Sequence, residues 1–243
     1  MKRYSITQYY NVKSPWSNHA LAMHQILPLQ ASISSAPVTA PHLIGDCPDV
    51  LRQVREPGVN LCLWQRPADA AIIREVSCLR ASDLPDVRCP TSSDSFEDDV
   101  STLLQQKGLD PQAFEHWRAD MRRLADLYFS VSGNREVTLR LLTTDEDECR
   151  RFHVDRTQLR LLCTYRGPGT EWLPDEQVDR VAQSMGAPND DIIRFGEPSM
   201  FESFWAGILK GDAYPGNAGH GLVHRSPPIE GKGKTRVLFC LDC

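Results

Sequence analysis

An α+β fold is predicted for this 243-residue chain by two observations. The second half carries apolar runs of strand length, Glu136-Val-Thr-Leu-Arg-Leu-Leu142, Leu159-Arg-Leu-Leu-Cys-Thr-Tyr165 and Thr235-Arg-Val-Leu-Phe-Cys-Leu-Asp242. The first half carries a long segment from Pro111 to Tyr128 whose apolar residues recur at three- and four-residue steps, the period of a helix. Helices should therefore flank a β core, and the length suits one domain. The expected layout is an N-terminal arm over 1–41 and a single domain over 42–243, with a helical flank (42–130) and a β core (135–243).

Taken in order, the arm is expected because Leu27 to Pro41 mixes prolines with small residues and has no clear period. Asp46 is placed to cap a short helix through Arg55, Val59-Asn-Leu-Cys-Leu-Trp64 reads as a strand, and Pro67 can open a second helix reaching Leu79. These form an α/β extension beside the core, with Trp64 packed inside. The Asp83 to Asp98 stretch, rich in proline, serine and acidic residues, reads as a loop. A helix follows from Phe96 to Lys107. Asp110-Pro111 then supplies an N-cap and a first-turn proline for the strongest helix of the chain. Phe114, Trp117, Met121, Leu124, Ala125 and Tyr128 form its apolar face, and His116 lies exposed.

Glu136 to Leu142 reads as the strand before the first functional motif, and Leu159 to Tyr165 as the strand after it. The latter ends at Arg166-Gly-Pro-Gly-Thr170, whose glycines permit a tight turn. Thr164, Tyr165 and Arg166 are placed to line a pocket there. In the alternative, Tyr165 packs in the core and Arg166 caps the turn. Asp175 to Met185 reads as a helix and Ile192 to Phe195 as a strand, whereas Phe201 to Lys210 satisfies neither period cleanly.

The formal net charge is −5 and the charges are dispersed, so nothing marks a surface for duplex nucleic acid or an anionic membrane. No apolar run is long enough to span a bilayer, and Met1 to Tyr10 lacks the core of a secretory signal. A cytoplasmic protein is expected, acting on a small-molecule or protein substrate. The eight cysteines should be free thiols in that compartment. Cys240-Leu-Asp-Cys243 has the spacing of a chelating or redox pair, and is read as a core thiol followed by a tail.

Functional chemistry concentrates in Arg151-Phe-His-Val-Asp155. Residues i and i+2 of an extended segment share a face, so His153 and Asp155 project together. A facial site of two histidines and one carboxylate needs another imidazole. Gly219-His-Gly-Leu-Val-His224-Arg-Ser-Pro-Pro228 offers it. His220 competes with His224, but the glycines between them argue against a helix, and His224 directly precedes the Pro-Pro turn and the final strand. His220 stays as a neighbour of the site or a substrate contact.

The order His-x-Asp, distal His, then an arginine entering a final strand resembles the Fe(II)/2-oxoglutarate oxygenases, whose core is a double-stranded β-helix (jelly-roll, cupin-like). The resemblance implies that His153, Asp155 and His224 hold Fe(II), that Arg236 clamps the far carboxylate of 2-oxoglutarate, and that Thr164 and Tyr165 border that co-substrate. His220 and Arg166 would stand around them. It also favours a strand at the end of Phe201 to Lys210, and implies hydroxylation of a C–H bond. The clamp triplet reads Arg236-Val-Leu238, where that superfamily often has Arg-x-Ser. A second resemblance covers more of the chain. The phrases Phe-His-Val-Asp, Cys-Thr-Tyr-Arg-Gly-Pro-Gly-Thr-Glu-Trp-Leu-Pro and His-Arg-Ser-Pro-Pro look like a bacterial domain family of unknown function whose members often sit beside zinc-responsive genes. This implies an alternative in which the triad, with Cys240 or His220, holds Zn(II) for sensing, storage or transfer without catalysis.

Overall fold

Strand β10 (Arg236–Asp242) is buried at every position. In the computed structural model, which describes residues 42–243, it pairs antiparallel with β4 (Glu136–Thr144) on one side and β5 (Leu159–Arg166) on the other. Beyond β5 lie β8 (Ala206–Lys210), β2 (Leu61–Trp64) and β1 (His42–Gly45); beyond β4 lies β3 (Val87–Ser92). A second sheet holds β7 (Ser199–Met200), β6 (Glu171–Leu173) and β9 (Val223–Arg225) in that order. From β5 onward the chain passes to β6 and β7 in the small sheet, returns to β8, crosses to β9 and returns to β10. One chain winding between two facing sheets is a double-stranded β-helix of the jelly-roll kind, and the helices of the first half make the whole an α+β fold.

Side-chain alternation on β5 separates two cores. Leu159, Leu161, Cys163 and Tyr165 face the helices, while Leu162 joins Leu142, Trp172, Phe201, Leu238 and Cys240 between the sheets. The helical layer comprises α1 (Ala70–Ser77), α2 (Phe96–Gln106) and α3 (Glu115–Ser132). Helix α3 buries Trp117, Met121, Leu124, Ala125 and Tyr128, the face its spacing predicts. Asp120 of this helix pairs with both terminal nitrogens of Arg66 at 2.6 and 2.7 Å and accepts from the Tyr165 hydroxyl at 2.7 Å. Arg66 also donates to the Phe204 carbonyl at 2.6 Å. These four residues bolt the helices to the sheet.

Several boundaries differ from expectation. The arm over 1–41 lies outside the described residues. The first helix is a 3-10 segment, Pro48–Arg55, preceded by Cys47 with no side-chain cap, and the Asp46 carbonyl instead accepts from the Trp64 indole at 3.1 Å. Helix α1 starts after Asp69, whose carboxylate accepts from Ala71 and Ile72, so Pro67 lies before the helix. The expected loop over 83–98 contains β3. This is an edge strand, where Pro90 needs no second ladder partner and breaks the strand signal. The expected 175–185 helix is divided into a 3-10 turn (Asp175–Gln177) and α4 (Arg180–Ser184), because Val178 pairs with Ile193 in an isolated bridge and Asp179 caps α4. Ile192 ends the short helix α5 (Asn189–Ile192), so no strand runs from there to Phe195. β1, β2 and β3, all from 42–130, belong to the large sheet. No helix among the described residues is long and apolar enough to cross a membrane.

Replacing Asp120 by alanine strands a guanidinium whose side chain is 7 % exposed. The expected loss is about 3–5 kcal/mol of unfolding free energy, read by urea denaturation. A loss below about 1 kcal/mol would contradict the bolting role given to this cluster.

Candidate metal centre

His153 lies outside the regular strands, yet its backbone is paired. Its N–H donates to the His224 carbonyl and the His224 N–H donates back, both at 3.0 Å. This bridge attaches the loop between β4 and β5 to β9, and sets the two imidazole centroids 4.6 Å apart. On β9, Val223 faces the outer cluster while Leu222 packs between the sheets, so His224 and Ser226 share the inward direction with Leu222. The loop is gripped from behind as well. The Asp155 carbonyl accepts from the Asp212 N–H at 2.8 Å, and Gly211 sits so close that a Cβ would meet the Thr157 and Asp155 carbonyl oxygens at 2.2 and 2.6 Å.

Within this frame His153, Asp155 and His224 each present one ligand atom, all within 4.8 Å of one another. His224 Nε2 is 3.4 Å from Asp155 Oδ2, and His153 Nε2 is 3.7 Å from Asp155 Oδ1. Neighbouring ligands around an ion with bonds near 2.1 Å stand roughly 3 Å apart, so only a small contraction is needed. Both imidazoles are oriented by their other nitrogen. His153 Nδ1 meets the Arg151 carbonyl at 2.9 Å, and His224 Nδ1 meets the Leu222 carbonyl at 3.1 Å. A carbonyl only accepts, so the proton belongs on Nδ1 and each Nε2 keeps its lone pair. Burial lowers the His224 pKa to about 4, outweighing the attraction of Asp155, and the ring is neutral at physiological pH.

The carboxylate is divided in its duties. Asp155 Oδ1 accepts from Arg160 Nη1 at 2.7 Å, whereas Oδ2 is buried with no hydrogen-bond partner among the described residues. Oδ2 thus faces the His224 lone pair across 3.4 Å, two acceptors that repel unless a cation lies between them. The donor set therefore fits a divalent metal.

Arg236 is 2 % exposed and lies on the same inner face of β10 as Leu238 and Cys240. Its terminal nitrogens donate to Thr170 at 2.9 Å, Ser226 at 3.3 Å and Thr164 at 3.4 Å, all hydroxyls, and its Nε has no partner among the described residues. Ser226 lies two residues past His224, so the segment that carries the histidine also supplies one of the guanidinium's partners. Burial lowers the Arg236 pKa to about 10, with Arg140 adding to the effect, so it is still charged at neutral pH.

The structure brings together His153, Asp155 and His224, and joins Thr164 to Arg236. It places Tyr165 elsewhere, in the helical core against Trp117 and Phe204. Arg166 also points away, donating to the carbonyls of Ser77, the last residue of α1, and of Leu79 just past it, at 3.1 and 2.8 Å. The cause is a register shift opposite Val237 and Leu238, where Tyr165 is skipped in the pairing. Such a bulge breaks alternation, so Arg166 no longer shares a face with Thr164. His220 is exposed, and the Cys240 thiol lies near Asp242 at 3.4 Å; neither joins the cluster. Arg160, Asp242, Thr170 and Ser226 were not singled out from sequence. A charged residue inside the apolar run 159–165 was the available signal for Arg160.

Residues 45–242 match a family described as a protein of unknown function, DUF1826, and the chain belongs to that family. Among solved structures it is similar to a rice dioxygenase for auxin oxidation, at 14 % identity and TM-score 0.48 over 84 % of this chain and 82 % of that one. It is similar also to dioxygenase for auxin oxidation 1 from Arabidopsis thaliana in a 2-oxoglutarate complex, at 12 % identity and TM-score 0.45 over 84 % and 92 %. A Pseudomonas putida prolyl-4-hydroxylase follows at 11 % identity and TM-score 0.31 over 73 % and 94 %. No curated protein matches the chain.

Gly211→Ala tests the grip on the ligand loop. Its Cβ must push the Asp155 and Thr157 carbonyls away, and we expect Mn(II) affinity, measured by calorimetry, to fall about 10- to 100-fold in a protein that keeps its circular dichroism. Unchanged affinity would show that the loop position is set elsewhere.

Proposed function

We propose that this member of the DUF1826 family is an Fe(II)- and 2-oxoglutarate-dependent oxygenase that hydroxylates a C–H bond of an organic substrate. The observation that carries the reading is the incomplete ligand set: two imidazoles and one carboxylate oxygen converge, and no fourth side chain joins them among the described residues. Three protein ligands suit a metal that must also bind a co-substrate and dioxygen. His153 and His224 would bind through Nε2 and Asp155 through its carboxylate. Fe(II), when bound, supplies the open positions and the electron that begins dioxygen reduction. The balanced reaction is R–H plus dioxygen plus 2-oxoglutarate giving R–OH, carbon dioxide and succinate.

Arg236 supports the choice of co-substrate. A guanidinium buried without a carboxylate of the described residues in ion-pair range is a costly arrangement, and a ligand carboxylate would relieve it. The planar fork holds a carboxylate by two parallel bonds. Leu238 stands where a hydroxyl would follow two residues after the arginine, and Thr164, Thr170 and Ser226 take over the task of steadying the guanidinium. Leu142, Leu162 and Leu238 surround this end of the inter-sheet space with apolar surface, which strengthens the electrostatic hold by excluding water.

The zinc-holding alternative would draw on the same three donors. A structural zinc site is closed by a fourth protein ligand. His220 and Cys240, the residues with that potential, lie outside the group.

Titration of the anaerobic Fe(II) protein with 2-oxoglutarate should show saturable binding, and admission of dioxygen should release succinate. Arg236→Met should raise the dissociation constant for 2-oxoglutarate about 10- to 100-fold while Mn(II) binding stays unchanged. Tight metal binding with no affinity for 2-oxoglutarate would sink the oxygenase reading, and zinc in the purified protein under iron-replete conditions would favour the other.

A further inference from the structure

Arg160 is the one charged side chain that β5 sends toward the inner face near the ligand loop, and it is committed to two carboxylates at once. Its register partner across the central pair of strands is Asp242. Arg160 Nε donates to Asp242 Oδ1 and Nη2 to Oδ2, the latter at 2.9 Å, which fixes the plane of the guanidinium. With that plane fixed, the direction of Nη1 is fixed too, and it ends on Asp155 Oδ1 at 2.7 Å. Asp155 and Asp242 are 7 % and 8 % exposed, so water competes little for these bonds.

We infer that Arg160 is the positioning residue of the metal centre, and that by occupying Asp155 Oδ1 it restricts the carboxylate to one-oxygen coordination through Oδ2. This rests on the metal reading above. A carboxylate with both oxygens free can chelate a divalent ion through both and fill two of its positions. With Oδ1 engaged, Asp155 would offer a bound divalent ion one oxygen, and the three protein donors would leave positions for exogenous ligands. The geometry serves a second need. Asp155 is carried by a loop, and the arginine references it to β5 and β10, the two strands at the centre of the large sheet. Lysine could not do this, since an ammonium has no planar fork with which to hold Asp242 and aim a third donor.

The test begins with the unaltered protein. A crystal structure of the Mn(II)-loaded chain should show Oδ2 on the ion and Oδ1 on Arg160; both oxygens on the ion would overturn the inference. Arg160→Met should weaken Mn(II) binding about 10- to 100-fold and change the visible spectrum of the Co(II)-substituted protein, because the released carboxylate can chelate. Arg160→Lys, which restores charge without the fork, should fail to restore that spectrum, and full restoration would also overturn it. Should Arg160→Met not fold, Asp242→Asn loosens the plane of the same guanidinium and should lower Mn(II) affinity; unchanged affinity and spectrum count against the proposal. Failure of the wild-type chain to bind Mn(II) or Co(II) would instead remove the metal reading itself, whereas tight binding with a chelating Asp155 removes only this inference.

Discussion

Two main-chain hydrogen bonds between His153 and His224 are the constraint on which the site depends. They join a loop that leaves the large sheet to a strand of the small sheet, and they do so at the two residues whose imidazoles must meet. Had the pairing slipped by one residue, an apolar neighbour would face His224 and the imidazole would point outward. The bridge thus converts sequence separation into adjacency without help from the side chains. The side chains are then oriented locally, each Nδ1 by the carbonyl two residues upstream, so the coordinating face is set by backbone geometry in both cases.

Burial determines what these groups can do. The space between the sheets is lined by leucines, Trp172 and Phe201, and every charge at its edge has a specific arrangement. Arg160 is neutralised by Asp155 and Asp242. Arg236 differs, being held by hydroxyls alone. Asp155 Oδ2 differs in the opposite sense, as an acceptor with no donor. A buried cation without a counter-charge and a buried carboxylate oxygen without a donor are each destabilising in isolation. In the proposed oxygenase a metal and an anionic co-substrate would relieve both, and the stability forgone without them would be recovered as affinity.

The chemistry was more legible in the sequence than the walls around it. His-x-Asp and the later histidine could be read because a two-residue spacing in extended backbone has one geometric meaning, and because chain order alone carries a three-ligand pattern. The helical face of α3 was equally plain from its period. Tyr165 and Arg166 were harder, since Leu159 to Tyr165 is buried on both faces and such a strand has no alternation to show which side faces what. The bulge that turns Arg166 outward depends on the register with β10, a property of two segments together. β3 escaped for a different reason: an edge strand tolerates a proline, and the residues that make it safe there are those that read as a loop.

Register also explains why the support of the Arg236 guanidinium is dispersed. On β10 the inward positions are Arg236, Leu238, Cys240 and Asp242, so a hydroxyl two residues after the arginine would have come at the expense of Leu238 in the inter-sheet core. The chain keeps the leucine and draws hydroxyls from Thr164 on the neighbouring strand, Thr170 beyond the turn and Ser226 beyond β9. Three separate segments then fix the guanidinium, one of them continuous with His224. Any shift of β9 relative to the large sheet moves His224 and one support of the guanidinium together. A hydroxyl on the arginine's own strand would hold the guanidinium as well, but would not couple it to the segment that carries the histidine.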